Sequence, residues 1–133
     1  MRGHARNIMT ERVTSVDPDT SLEMIARTLV AGRFGGVPVV DKDDRVLGFV
    51  SEADLMVALL HDAASSSPAR DVMTSPVLVD EFETTDDVLA LMREANTDHL
   101  LVVRQNRLVG IITPLDVLRY LVEQVLPPPP EAG

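Results

Sequence analysis

Apolar and polar positions along the chain change period several times, and each change marks an element. Leu22, Ile25, Ala26, Leu29 and Val30 recur at helical spacing. Thr20 ahead of them, with Glu23 three residues on, reads as a capping box that starts this helix. Residues 13–16, from Val13 to Val16, read as a short strand before it. Residues 36–40 (GVPVV) and 45–50 (RVLGFV) are nearly continuous apolar runs, the pattern of strands buried on both faces. Asp41 to Asp44 between them reads as a hairpin loop. Ser51 opens a second helix that runs to about Leu60. The same order then returns. A helix starts near Thr84, a hairpin turns at Gln105 and Asn106, and a last helix runs from Thr113 to about Val125.

The recurrence is also literal. ARNIMT at residues 5–10 returns as ARDVMT at 69–74, and RVLGFVSEADLM at 45–56 returns as RLVGIITPLDVL at 107–118. Between these anchors Val13 aligns with Val77, Thr20 with Thr84, Ala26 with Ala90, Ala31 with Ala95 and Val39 with Val103. The hairpin loop is shorter in the second copy by two residues. Each copy is one strand-helix-strand-strand-helix unit that needs a neighbour to bury its core. Two copies favour a closed pseudo-symmetric pair over an open solenoid. The fold class is therefore α/β, with repeats at 5–60 and 69–125. Residues 61–68 (HDAASSSP) have the composition of a flexible connector, and 126–133 (LPPPPEAG) that of an extended, mobile tail.

Composition narrows the chemistry. A chain of 133 residues, 45% of them hydrophobic, is the size of one domain with a real core. With Phe34, Phe49, Phe82 and Tyr120 as its aromatics, that core must be aliphatic. There is no Cys, hence no disulfide, thiolate zinc site or cysteine nucleophile. The start has no apolar run suited to a signal peptide, no stretch approaches a membrane span, and a cytoplasmic protein is expected. A net charge of -9 argues against nucleic acid and anionic membrane as partners. His4 at a mobile end, His61 beside the connector and His99 near the second hairpin do not have metal-ligand spacing. Met9, Met24, Met56, Met73 and Met92 read as core or cleft filler. Arg6 and Arg70, repeated, either bridge repeats, meet phosphate or stay solvated. The acidic run Asp80, Glu81, Glu83, Asp86 and Asp87 reads as a solvated connection that favours the following helix N-terminus. No nucleophile elbow, Walker loop, dinucleotide fingerprint or metal cluster is present, so no enzyme is expected.

The chemical signal lies in GFVSEAD at residues 48–54 and GIITPLD at 110–116. Each places a hydroxyl, Ser51 or Thr113, at a helix N-cap and a carboxylate, Asp54 or Asp116, at N3. Pro114 suits N1 of the second helix. One reading is structural, because a hydroxyl and an acid three apart form a variant capping box worth about 1 kcal/mol. The other is functional. The strand-to-helix junction offers unpaired N–H groups and a positive dipole end to a phosphate, while a carboxylate accepts hydrogen bonds from a ribose diol. The element stands at the same point of both copies, which favours the second reading.

Both repeats, over residues 5–121, resemble a tandem pair of cystathionine-β-synthase (CBS) domains, or Bateman module. The resemblance rests on IMT and VMT at the repeat starts, GVPVVD in copy one, and the two G-h-h-S/T-x-x-D spans. It implies two repeats packed sheet to sheet around a pseudo-twofold axis, with adenosine nucleotides or S-adenosylmethionine in the clefts. Carried over, Asp54 and Asp116 bind ribose, and Ser51, Thr113 and Arg33 bind phosphate. The base pocket draws on Met9, Thr10, Val13, Gly36 and Phe49, and on Met73, Thr74, Val77, His99 and Ile111. Copy two departs from copy one, with Thr97 where Arg33 stands and Leu100, Leu101 and Val102 in place of Gly36, Val37 and Pro38. One competent site, or two of unequal affinity, is the expectation. No obligatory cofactor is expected, the adenosine nucleotide being a regulatory ligand.

A regulatory sensor signalling through conformation or oligomeric state competes with a structural or interaction module whose clefts are empty or take another ligand. Apolar residues beyond one face's need on the last helix (Leu115, Val117, Leu118, Leu121, Val122, Val125) and at Leu55, Val57, Leu59 and Leu60 point to a homodimer surface. A further protein partner would receive the signal.

Overall fold

Asp17 and Asp80 each end a strand-like segment and open the turn that leads to a helix, and the local chemistry is the same. The Asp17 carboxylate accepts the Asp19 N–H at 2.8 Å and the Asp80 carboxylate accepts the Phe82 N–H at 2.9 Å, both side-chain-closed turns. The computed structural model describes residues 3–61 and 64–131. Its elements are α1 (Ala5–Ile8), α2 (Leu22–Gly32), β1 (Gly36–Val40), β2 (Val46–Ser51), α3 (Glu52–Leu60), β3 (Val77–Asp80), α4 (Thr85–Glu94), β4 (Leu100–Arg104), β5 (Arg107–Ile112) and α5 (Pro114–Gln124), with one 3₁₀ turn at Ala69–Asp71.

The chain divides into two units that cut across the sequence repeats. One comprises Thr14–Pro76 with Gln105–Leu108 and holds Asp54. The other comprises the residues up to Val13, Val77–Arg104 and those from Val109 on, and holds Asp116. The opening segment of copy one therefore packs on the body of copy two, and the opening segment of copy two packs on the body of copy one.

In the Asp54 unit β1 pairs antiparallel with β2, placing Val39 opposite Gly48 and Gly36 opposite Ser51. The Asp41 carboxylate closes the hairpin by accepting the N–H groups of Asp43 and Arg45. The Arg45 N–H leads in holding that carboxyl below its ordinary pKa. Val16 bridges parallel to Val39, and Thr74 bridges antiparallel to Phe49. Beneath this sheet Leu22, Ile25, Leu29, Val37, Val39, Val50, Leu55 and Ala69 form an aliphatic core.

In the Asp116 unit the strand order is β3-β4-β5, with β3 parallel to β4, and Thr10 bridges antiparallel to Ile111. The β4-β5 hairpin turns at Gln105 and Asn106, residues counted with the Asp54 unit, with φ of 51° and 66°, the left-handed region that two-residue hairpins require. Ala5, Ile8, Val79, Val88, Leu100, Val102 and Ile112 form the core.

Several expectations need correction. Residues 13–16 are not a strand but an extended segment with a single bridge at Val16. Helix α2 is capped by Ser21, not Thr20: the Ser21 hydroxyl accepts the Met24 N–H at 3.1 Å. Thr20 is occupied in the turn, where its N–H donates to the Asp17 carbonyl and its carbonyl accepts the Ala69 N–H at 2.8 Å. Glu23 pairs with Arg27 instead of closing a box. Val30 is 79% exposed, Met24 and Met56 are also exposed, and Leu55 is buried in the core.

The expected flexible connector is tied down in part. Carbonyls of Ser67 and Ser65 accept the N–H groups of Leu22 and Glu23, both at 2.9 Å, satisfying two orphan donors of α2. Asp62 and Ala63 of that connector lie outside the described residues, as do Ala132 and Gly133 of the tail. His4 is not a loose end: it is the N-cap of α1, bridges to Thr84 and stands edge-on to Phe82.

Glu81 departs furthest from its solvated reading. It is 2% exposed, and its carboxylate takes a two-pronged contact from Arg104 at 2.6 and 2.8 Å. The Arg104 hydrogen bond holds the Glu81 carboxyl below its ordinary pKa, with a smaller contribution from the charge of Arg6, and Arg104 is raised in turn. Arg6 lies over the Phe82 ring at 4.8 Å, and Arg70 pairs with Asp19. No helix among the described residues is long and apolar enough to cross a membrane.

Candidate functional site

Both S/T-x-x-D spans fold as the spacing requires. Ser51 ends β2 and caps α3, accepting the Asp54 N–H on its hydroxyl at 3.1 Å. Thr113 follows β5 and caps α5, and Pro114 occupies the first turn. Each helix start thus presents the positive end of its dipole beside a hydroxyl and a carboxylate, the groups suited to phosphate and ribose. The Glu52 N–H of α3 is taken by the Gly35 carbonyl at 2.9 Å, and Pro114 leaves α5 without a first N–H.

The repeat starts roof these junctions in exchanged fashion. Thr10 and Ile111 exchange both backbone hydrogen bonds, at 2.9 and 3.0 Å, and Thr74 and Phe49 do the same at 2.9 Å each. Met9 lies on Gly110 and Met73 on Gly48: a Cβ at Gly110 would stand 2.3 Å from the Met9 sulfur, and one at Gly48 2.6 Å from the Met73 sulfur. The glycine of each G-h-h-S/T-x-x-D span is therefore a seat for a methionine from the other copy's opening segment. Sequence reasoning passed over these glycines, although both align with each other and both methionines recur.

The candidate base-pocket residues accordingly sort by unit and not by copy. Met73, Thr74, Phe49 and Gly36 come together in the Asp54 unit, where a Cβ on Gly36 would meet the Phe49 ring at 2.4 Å. Met9, Thr10 and Ile111 come together in the Asp116 unit, with Val77 on β3 opposite Leu100. Val13 is half-buried at the end of the opening segment of that unit. His99, half-buried ahead of β4, exchanges backbone hydrogen bonds with the Thr97 hydroxyl at 3.1 and 3.2 Å. Arg33 caps α2 in the left-handed region, with φ of 56°, and lines a groove of about 530 Å³ with Leu29, Val30, Phe34, Glu52 and Met56.

The two carboxylates differ sharply. Asp54 is exposed, and no donor among the described residues reaches its side chain. Asp116 is 3% exposed and fully engaged. Its Oδ1 accepts the Thr10 hydroxyl at 2.6 Å and Arg119 Nη1 at 2.9 Å; its Oδ2 accepts the Thr113 N–H at 2.9 Å and the Thr113 hydroxyl at 3.0 Å. Thr74, the counterpart of Thr10, turns its hydroxyl to the Phe49 carbonyl at 3.3 Å instead. Val57 stands where Arg119 does, a difference visible on aligning the copies. Among the described residues no group of three His, Asp or Glu side chains could hold a metal ion.

The model of the CBS domain matches the chain twice, over residues 5–61 and 69–123. Hypoxic response protein 1 of Mycobacterium tuberculosis is 30% identical over 128 residues, covering 92% of this chain and 87% of that protein. The crystal structure of CBSX2 in complex with AMP superposes with a TM-score of 0.82 at 28% identity, over 90% of this chain and 96% of that one. The structure of Hypoxic Response Protein I with two coordinated zinc ions has a TM-score of 0.81 at 26% identity, over 94% of this chain and all of that one.

Proposed function

Because the chain belongs to the CBS-domain family, carrying the domain twice, we propose that it is a regulatory module that binds an adenosine nucleotide. One observation carries this reading. A capped helix start with an exposed carboxylate at N3, Asp54, is roofed by an opening segment from the other repeat. In this reading Asp54 accepts the ribose diol. Ser51 and the Ala53 N–H face the phosphate, the Glu52 and Asp54 N–H groups being held by the Gly35 carbonyl and the Ser51 hydroxyl, and the base rests near Met73, Thr74, Phe49 and Gly36. The AMP held by the CBSX2 structure supports an adenosine ligand.

A ligand seated there touches residues of both sequence repeats, since Thr74 comes from copy two and Ser51 from copy one. Its binding biases how the opening segment docks, and it shifts that equilibrium by its differential affinity for the docked arrangement. The chain carries no chemistry of its own in this reading, and the output passes to a protein partner or a change of oligomer. Exposed apolar residues on α3 (Met56, Val57, Leu60) and on α5 (Leu115, Leu118, Val122) support a second copy as one such partner. Sedimentation of the chain with and without nucleotide tests that point.

The deciding experiment is thermal unfolding of the full chain with AMP, ADP, ATP, S-adenosylmethionine and a guanosine control. A ligand that binds the folded state at about 100 times its Kd adds about 2.7 kcal/mol. A rise with adenosine ligands that disappears in Asp54→Ala supports the reading; no rise at millimolar ligand overturns it. A second reading, a structural module, is favoured by the working N-caps at Ser51 and Thr113, which serve their helices without any ligand.

A further inference from the structure

We infer that the two motif carboxylates are not interchangeable: Asp54 is available to ligand, whereas Asp116 is committed to an internal latch closed by Thr10 and Arg119. This inference rests on the nucleotide reading for what Asp54 binds, and on geometry alone for the latch.

An ionised carboxylate has about four lone-pair directions. Asp116 has four donors on its two oxygens, from the Thr10 hydroxyl, Arg119, and the N–H and hydroxyl of Thr113. A ribose diol needs two acceptor positions on one carboxylate, so it enters the Asp116 unit by displacing donors already in place. The shortest bond, 2.6 Å, comes from Thr10, the end of the opening segment of copy one. The latch therefore also fastens that segment to α5.

Every part of the latch is missing or turned away in the Asp54 unit. Val57 replaces Arg119 and removes the cation. The Thr74 hydroxyl bonds to the Phe49 carbonyl. Ser51 accepts from the Asp54 N–H, and no donor among the described residues reaches the Asp54 carboxylate. Arg119 and Thr10 thus determine which of two like-placed carboxylates serves a ligand. They act on specificity through Asp116, as positioning residues.

The test uses AMP titrated calorimetrically into the full chain, with thermal unfolding of each variant alongside. The wild type is expected to bind one equivalent per chain, which Asp54→Asn abolishes and Asp116→Asn leaves. Thr10→Val combined with Arg119→Val, the latter copying the Asp54 unit, is expected to add a second equivalent. Without ligand, Asp116→Asn is expected to lower the Tm by several degrees and Asp54→Asn to leave it unchanged. Two equal equivalents in the wild type, loss of binding with Asp116→Asn alone, or no second site in the double variant overturns the inference. If no AMP binds to any form, the nucleotide reading fails and the melting arm decides the latch: equal Tm shifts for Asp116→Asn and Asp54→Asn overturn it. Should Asp116→Asn not fold, Arg119→Val takes its place in the melting arm, judged against Val57→Ala.

Discussion

The Asp54 and Asp116 units are built from the same parts, yet they hold their motif carboxylates in opposite states. In each, a parallel neighbour, a hairpin and an antiparallel bridge from an opening segment frame a glycine that seats a methionine. In each, Ala5 or Ala69 is fully buried and anchors the opening segment by donating to the strand-to-helix turn, at 2.8 Å in both. What differs is a handful of side chains. Arg119 against Val57, and the direction of one threonine hydroxyl, turn an accessible acceptor into a buried hydrogen-bond hub. Duplication preserved the backbone frame, and one substitution with one hydroxyl direction goes with an exposed carboxylate in one unit and a buried one in the other.

The sharpest way to break the shared part of this comparison is at the two glycines. Gly48→Val and Gly110→Val each force a branched side chain into a methionine seat with less than 3 Å of clearance. Overpacking of this kind costs about 3 kcal/mol at its usual upper end. Denaturant unfolding should show similar losses for both. A large loss at one glycine and none at the other would mean that the seats are not equivalent.

Next in size is the part that differs. Asp116→Ala removes a buried carboxylate and with it the hydrogen bonds from the Thr113 N–H, the Thr10 hydroxyl and Arg119, at a cost of about 2 kcal/mol, the usual worth of bonds to a charged group. Asp54→Ala removes an exposed side chain and is expected to stay within about 0.5 kcal/mol. The threonines sharpen this further. Thr10→Val loses a 2.6 Å bond to a carboxylate and should cost about 1 kcal/mol, while Thr74→Val loses a 3.3 Å bond to a carbonyl and should cost a few tenths. Chemical-denaturation midpoints of the two pairs measure both contrasts, and equal costs for Thr10 and Thr74 would remove the asymmetry.

Much of this frame was legible in the sequence, and the misses have physical causes. Helices α2 to α5, the hairpins and the caps at Ser51, Thr84 and Thr113 follow from periodicity and turn chemistry, whereas the short turns at Ala5–Ile8 and Ala69–Asp71 are too brief to show a period. The cap at Ser21 did not, because Thr20 has the same capping chemistry and the choice between them is made by the Asp17 turn and by the Ala69 N–H that binds the Thr20 carbonyl. The exchange of opening segments was hidden by the repeat itself: ARNIMT and ARDVMT fit either body equally well on paper. Glu81 looked like one more acid in an acidic run, because its partner Arg104 lies 23 residues away. The Asp116 latch was written in the alignment of Arg119 with Val57, but its meaning depends on which threonine reaches which carboxylate.

The last contrast concerns acid. Glu81 aligns with Asp17, and Arg104 with Val40, so the Asp116 unit has an ion pair that the Asp54 unit lacks. Glu81 is held below its ordinary value of 4.5 by Arg104 first and by Arg6 to a lesser degree. A depressed folded-state pKa gives stability that is present above the unfolded value and is lost as pH falls through the folded one. The contribution of Glu81 is thus intact at neutral pH and disappears below about pH 4.5. Arg104 is largely exposed, so solvent screens the pair and the effect is the smallest of the set. Other carboxylates titrate in the same window, and the comparison of variants separates them. Glu81→Gln should unfold at lower denaturant than wild type at about pH 6, and the gap should close as pH falls below the ordinary value of 4.5 and Glu81 itself takes up a proton. If Glu81→Gln runs parallel to wild type throughout, Arg104 does not hold Glu81 down and this part of the contrast fails.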